Sequence, residues 1–560
     1  MSVVARSVEG NSEPPQRAQI ESKGKRMTHE RQPQNPAGAQ HPQSPPSPSP
    51  AASAVTGAPA PFGDETPRGP AKRILVIAAL VAGLVAIVLG MLVGPQRQAL
   101  GTQTSGDEAL AARVVDAVGG HGGFRSVVVA EVTSEGTTWA GVGKTGEGRD
   151  GAAPTDGTLY ELGSVTKTFT ASLFADAIDR GEVTAQDPLS AHIPELEGTP
   201  AGEVTLASLA QHSSGLPRLG PSFAVESLAA SLSGGNPYGP QTTEVMVQDA
   251  AAAPVDPAQG PLYSNLGVAL LGTALTNAAG ADSYPALLEE RVLGPVGMES
   301  TSIATTEAEV PADTTPGFLT NGIPTDAWWG EGYAPTGSST TTTVADLAAW
   351  ASANLDGTAP GVASLEPTAQ FAEGSDIGWI WQTTQVTNPT ATSNPSLTWH
   401  SGGTGGFASV VMLDRDAGKA VVVLGNTQQI VDPIAVSLLT EAEVPDLGAQ
   451  GALLLWVTFG FALIASGLAL LFAFRSKAAL PIVNWLLLAA SGLVSLWFAG
   501  PWASVGGWAF GLALAPALAA VAVGVLRSPA LRFQPKRWAW LSWVGLAIVL
   551  VILVATLLVV

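Results

Sequence analysis

At 560 residues, 46 % apolar and only 13 % charged, the chain is too long for one small domain and too apolar for one soluble one. It has no cysteine, which excludes a disulfide framework and a thiolate metal centre. The net charge of −20 is uneven: residues 1–73 carry nine Lys/Arg and six Asp/Glu, residues 95–449 carry 11 and 40, and residues 450–560 carry six and none. A middle segment at −29 argues against nucleic acid, or an anionic membrane surface, as its partner.

Residues 1–72 are rich in Pro, Ser, Gln and Ala, as in QNPAGAQHPQSPPSPSPAASA. Such a stretch cannot bury enough apolar surface to offset its ordering entropy, so a disordered cytoplasmic tail is expected. A transmembrane helix follows over 73–94, where ILVIAALVAGLVAIVLGMLVG is continuously apolar. At about 1.5 Å per residue it spans roughly 30 Å, the thickness of a bilayer core. With some seventy residues ahead of it, a cleaved signal peptide is not expected.

The domain at 105–445 mixes two periodicities. SVVVAEV (126–132) and TTWAGVG (137–143) alternate around a Ser-Glu-Gly turn and predict a hairpin. ASVVMLD (408–414) and KAVVVLGN (419–426) flank Arg-Asp-Ala-Gly and predict a second. Helical patterns run between them, at 164–180 and 264–280. Strands at both ends with helices between predict an α+β domain: one antiparallel sheet closed by the two chain ends, flanked by helices, with a helical subdomain inserted.

Four more apolar spans, near 451–474, 480–499, 507–526 and 541–560, form a C-terminal module at 451–560. The basic residues Lys72, Arg73, Arg475, Lys477, Arg527, Arg532, Lys536 and Arg537 flank the spans so that all fall on one side when five helices are threaded. That side is the cytoplasm by the positive-inside rule, which places the middle domain outside a multi-pass plasma-membrane protein. The C-terminal spans carry no ionisable residue, so an anchor or partner-binding module is expected rather than a transporter.

A serine hydroxyl is a weak nucleophile that needs a neighbouring base. In ELGSVTKTFTA (161–171), Ser164 and Lys167 stand three apart at the start of a predicted amphipathic helix, on one face. A lysine desolvated in a pocket has a lowered pKa and accepts the serine proton. A second Ser-x-x-Lys, Ser22 to Lys25, falls in the tail and is noise. Two companions follow in order: Tyr263-Ser264-Asn265 in GPLYSNLGVALLG, and His400-Ser401-Gly402 in TWHSGGTGGF.

Ser-x-x-Lys, Tyr-x-Asn and Lys/His-x-Gly in this order resemble the three active-site motifs of class C β-lactamases, related D-alanyl-D-alanine peptidases and esterases. TLASLAQHSSGLP (205–217), GPVGMEST (294–301) and APTGSSTTTTVADLAAW (334–350) resemble further segments of that family, so the likeness covers about 105–440. It implies a β-lactamase/transpeptidase-like fold and an acyl-enzyme on Ser164, with Lys167 and Tyr263 sharing the proton work. Asn265 is implied to contact the substrate amide, with Ser401 and Gly402 beside it. The backbone N–H groups of Ser164 and Gly403 are implied to form the oxyanion hole. His400, where the β-lactamases have Lys, is implied to bind the substrate carboxylate or orient Tyr263. The substrate expected is a small peptide, ester or β-lactam. An esterase, or a β-lactam or muropeptide sensor that deacylates slowly, stays open beside a carboxypeptidase. His212 and Ser213 are expected to shape a loop, and Trp328 and Trp329 to pack or line the cleft. The scattered His29, His41, His121 and His192 point to no metal site, and no cofactor is expected.

Overall fold

The computed structural model describes residues 69–533 apart from 119–121, 147–150, 224–226, 228–229, 231–232, 388–393 and 445–448, together with 543 and 547. Most of the expected tail, the fifth span, and His29, His41 and His121 lie outside the described residues.

Helix α1 (Gly69–Val93) leads into strand β1 (Thr104–Gly106), α2 (Glu108–Val118) and the hairpin β2 (Ser126–Thr133)/β3 (Gly136–Gly143). Strand β4 (Tyr160–Glu161) runs through a 3₁₀ turn, Gly163–Thr166, into α3 (Lys167–Asp179). Short turns and helices lead to α4 (Asn265–Ala279). Then come β5 (Ser302–Ile303), β6 (Gly317–Phe318), β7 (Pro324–Thr325), β8 (Thr340–Thr342) and α5 (Val344–Leu355). Strands β9 (Ala369–Ala372), β10 (Ser375–Ile377), β11 (Gln382–Gln385), β12 (Ser396–Gly403), β13 (Ala408–Asp414) and β14 (Lys419–Gly425) precede α6 (Asp432–Thr440). The chain continues through α7 (Ala449–Arg475), α8 (Ala479–Ala499) and α9 (Gly507–Arg527).

Nine strands form one antiparallel sheet in the order β1-β3-β2-β14-β13-β12-β11-β10-β9. Both hairpins form where alternation predicts them, and the β2–β14 pairing, Val129 opposite Val423, joins the two ends of the domain. Strand alternation divides the apolar residues between two cores. Val128, Ala130, Val411, Leu413, Val422 and Leu424 face α5 and the inserted helices. Val127, Val129, Val410, Met412, Val421 and Val423 face α2 and α6. On β12, Leu397 and Trp399 face the second core, which turns His400 and Gly402 towards the inserted helices. Helix α3 departs from expectation. It is buried on all sides through Ala175 rather than amphipathic, because it runs through the middle of the larger core.

Helices α1, α7, α8 and α9 each hold a stretch long and apolar enough to cross a membrane. A methyl group built on Gly90 would sit 2.5 Å from Gly511 Cα and 2.6 Å from the Gly507 carbonyl oxygen, so glycines let α1 and α9 touch backbone to backbone. The two ends of this bundle differ. At one, Arg527 donates to the carbonyls of Ala473 and Ser476, among Arg475, Lys477 and Arg532. At the other, the sheet domain is attached. Asn321 Nδ2 donates to the Trp497 carbonyl (3.3 Å), Thr320 Oγ1 to that of Phe498 (3.1 Å), and Arg97 Nε to that of Ala503 (3.3 Å).

Candidate active site

Four segments distant in sequence converge beside β12. Ser164 sits in the 3₁₀ turn and Lys167 is the first residue of α3, so the predicted single helix is two elements. The tighter 3₁₀ turn eclipses residues three apart. Lys167 Nζ lies 2.8 Å from Ser164 Oγ, and it donates to the Thr336 carbonyl at 2.8 Å. Lys167 is fully buried, and burial, with the positive charge of Arg218 next, holds its pKa well below the usual lysine range. An uncharged amine keeps a lone pair, and at this distance it can take the Ser164 proton.

The Tyr263 hydroxyl is hydrogen-bonded to Ser164. Burial pushes its pKa up to about 12, against the lowering by that bond and by Arg218, so it is a phenol at neutral pH and a donor. Lys167 Nζ lies 5.1 Å from the Tyr263 ring centre. Ser264 caps α4, accepting the Gly267 N–H at 2.9 Å and donating to the Pro217 carbonyl at 2.7 Å, which fixes the turn carrying Tyr263. Asn265 opens α4. Its side chain meets the Tyr238 hydroxyl, while its buried Oδ1 has no partner. An amide oxygen left so accepts one N–H from a ligand.

His400 Nδ1 lies 2.7 Å from the Ser401 carbonyl. A carbonyl only accepts, so Nδ1 carries the proton and Nε2, buried and unpartnered, presents a lone pair. Burial chiefly, with the neighbouring Lys167 next, lowers its pKa to about 3. A neutral imidazole 6.2 Å, ring to ring, from Tyr263 favours orienting Tyr263 over binding a carboxylate. Ser401 points the other way. Its hydroxyl meets the Asp432 carboxylate at the start of α6, as strand alternation requires.

The oxyanion candidates depend on glycine. A methyl group on Gly402 would strike the Leu162 carbonyl and lie 2.9 Å from the Ser164 nitrogen. One on Gly163, whose φ is +59°, would lie 2.7 Å from the Gly403 nitrogen. Only bare backbone lets β12 approach the turn carrying Ser164 this closely, and it brings the backbone of Gly403 against that turn.

Two further residues surround Tyr263. His212, buried at a left-handed φ of +55°, packs at a tilt against its ring, 4.6 Å centre to centre, and accepts the Ser264 N–H at Nδ1 (3.3 Å). Arg218, which sequence reasoning missed, is exposed and holds its guanidinium 5.5 Å from the same ring. The only sequence signal for it was its place directly after the Ser-Gly-Leu-Pro segment. Among the described residues no group of three His, Cys, Asp or Glu converges as metal ligands would.

The Beta-lactamase family profile matches residues 111–437, more than half of the chain. The chain belongs to the Beta-lactamase family. It is a serine hydrolase by that membership. Among curated family members, it is 34 % identical over 171 residues to the D-alanyl-D-alanine-carboxypeptidase/endopeptidase AmpH of Escherichia coli, covering 28 % of this chain and 40 % of that protein. It is 27 % identical over 315 residues to a Beta-lactamase of Escherichia coli, covering 49 % and 76 %. The chain thus spans about two fifths of the length of the first of these relatives. Among solved structures, a D-alanine carboxypeptidase AmpC from Burkholderia cenocepacia matches at 23 % identity and a TM-score of 0.48, over 59 % of this chain and 99 % of that one.

Proposed function

We propose that this chain is a membrane-anchored, extracytoplasmic acyl-serine hydrolase acting on a D-alanyl-D-alanine-type peptide or a related amide, ester or β-lactam. The observation that carries it is the Ser164 hydroxyl held between the buried Lys167 amine, whose pKa burial lowers, and the Tyr263 phenol, beside the close backbone approach of Gly403.

Ser164 Oγ attacks the carbonyl carbon as its proton passes to Lys167 Nζ. The oxygen gains negative charge between the N–H groups of Ser164 and Gly403, worth several kcal/mol in such sites. As the tetrahedral centre collapses, the proton reaches the leaving amine through the Tyr263 hydroxyl, and the acyl group stays on Oγ. Water then adds to the acyl carbon, one proton returning to Oγ and a carboxylic acid leaving. Asn265 Oδ1 accepts the substrate N–H. His400 Nε2 orients the Tyr263 hydroxyl, and Arg218, the exposed cation at the site, meets a substrate carboxylate. Ser401, turned towards Asp432, is given no substrate contact. The domain boundaries follow as a tail at 1–72, a span at 73–94, the hydrolase at 105–445 and a membrane module at 451–560. Support for the orientation comes from the basic residues gathering at the end of the bundle away from the hydrolase.

The test is turnover by the full chain in detergent micelles of a D-Ala-D-Ala peptide, a chromogenic cephalosporin and a short-chain ester. The peptide should release its terminal D-alanine, with Ser164→Ala inactive on all three. Ester turnover with the peptide untouched would overturn the carboxypeptidase reading.

A further inference from the structure

We infer that the substrate of this site is carried on a lipid and presented at the bilayer surface. The inference rests on the acyl-hydrolase reading above and adds where the acyl group must be.

The hydrolase is pinned to the bundle at both ends of its chain. Ten residues, 94–103, separate α1 from β1, and eight, 441–448, separate α6 from α7. At about 3.6 Å per extended residue these reach no more than roughly 36 and 29 Å. Contacts shorten the first further. The Gln96 N–H bonds the Asn321 carbonyl at 2.8 Å, and the Gly123 N–H bonds the Gln98 carbonyl at 3.1 Å. The last turn of a helix leaves its carbonyls unpaired. In α8 those of Trp497 and Phe498 accept from Asn321 and Thr320, so the hydrolase itself caps an apolar helix.

Asn321 and Thr320 form the tip of the β6–β7 hairpin, and the stem of that hairpin ends at the catalytic loop. The Phe318 N–H bonds the Gly406 carbonyl at 3.2 Å, and a methyl on Gly406 would lie 2.6 Å from the Phe318 nitrogen. Gly403, three residues on, abuts the Ser164 turn. Adding three residues, a hydrogen bond and three more residues puts Ser164 within roughly 35 Å of the last turn of α8. Headgroups occupy about 5–7 Å beyond the hydrocarbon edge, so Ser164 lies no more than about 30 Å above them.

Pinning of this kind gives no advantage with a freely diffusing substrate. It raises the effective concentration only of an acyl group confined to the same thin layer. The wall between the loop and the hairpin is aromatic, with Trp328 against Gly405 and 5.1 Å from Tyr238, ring to ring. The segments that dock, 94–103 and 317–325, hold no Asp or Glu, although residues 95–449 hold 40. The docking segments themselves therefore add no repulsion from an anionic surface.

The experiment uses the full chain in vesicles of phosphatidylcholine and phosphatidylglycerol. One D-Ala-D-Ala peptide is supplied either free or joined through its N-terminus to phosphatidylethanolamine in the same vesicles. At matched bulk concentration the lipid-borne peptide should be cleaved at least tenfold faster. In a Thr320→Ala/Asn321→Ala variant that advantage should fall at least threefold while the rate on the free peptide holds, which also reports an intact site. A lipid-borne rate no higher than the free one overturns the inference, as does an advantage that survives the double substitution. Turnover of neither peptide, with Ser164 unlabelled by a fluorophosphonate, fails the hydrolase reading instead and takes this inference with it.

Discussion

Glu161, three residues before the nucleophile, offers a test of the polar interior behind the site. It is 3 % exposed. Its Oε1 accepts the Trp328 N–H at 2.9 Å, and Oε2 has no partner. Burial raises its pKa from 4.5 to about 7, against the lowering by the nearby Thr404 and Trp328. A group whose folded pKa is raised stabilises the fold fully below its unfolded value, and that stability is lost as pH rises through the folded value. The window is therefore pH 4.5 to 7. That rise in pKa corresponds to about 3–4 kcal/mol. Glu161→Gln keeps an acceptor for Trp328 but cannot ionise. For a domain of roughly 340 residues, about 0.7 kcal/mol shifts the melting temperature by one degree, so the full effect is about 5 °C. Thermal unfolding of the full chain in micelles, followed by near-ultraviolet circular dichroism from pH 4 to pH 8, reads it. The melting temperature of the variant should gain about 5 °C on that of the wild type across the window. A difference that stays flat with pH would refute the reasoning.

Arg218→Ala should move the acid limb of the pH–rate profile upwards, because the Arg218 charge helps keep Lys167 unprotonated and the base is active only above its own pKa; an unmoved limb would leave Arg218 no part in the proton work. Gly163→Ala forces an L-residue into a left-handed turn and drives its methyl into Gly403, costing about 2–4 kcal/mol and displacing an oxyanion donor. Turnover should fall on the order of a hundredfold, and wild-type melting and turnover would contradict the close approach. A phosphatase reporter fused after 445, 477 and 560 should be active, silent and active in turn. Activity at 477 with silence at 445 would invert the topology and remove cell-wall peptides from the substrates.

The ends of the sheet were legible because each hairpin alternates cleanly around a turn, and the four described spans because apolar runs of that length have few other uses. Ser164, Lys167, Tyr263 and His400 were legible as ordered motifs, and they meet. Less local facts were hidden. That α3 is buried all round depends on which elements surround it, and composition alone reads as amphipathic. Ser401 lies inside a motif, yet pleat alternation turns it to Asp432, which requires knowing which face of β12 looks at the cleft. Arg218 reaches Tyr263 only because the loop at 212–218 folds against the start of α4, where the Arg218 carbonyl accepts the Asn265 N–H at 2.9 Å. The docking of Thr320 and Asn321 on α8 joins residues some 176 apart, and neither carries a sequence signal.

The proposed role of Ser164 as nucleophile is the centre on which the rest depends, and it predicts an observable covalent intermediate. The full chain, incubated with benzylpenicillin, quenched and digested, should carry the penicilloyl mass on the peptide containing Ser164. Ser164→Ala should carry none, and Lys167→Ala should acquire it on the order of a thousandfold more slowly. An adduct that persists in Ser164→Ala, or that maps to a peptide without Ser164, would place the reactive serine elsewhere and contradict the assignment.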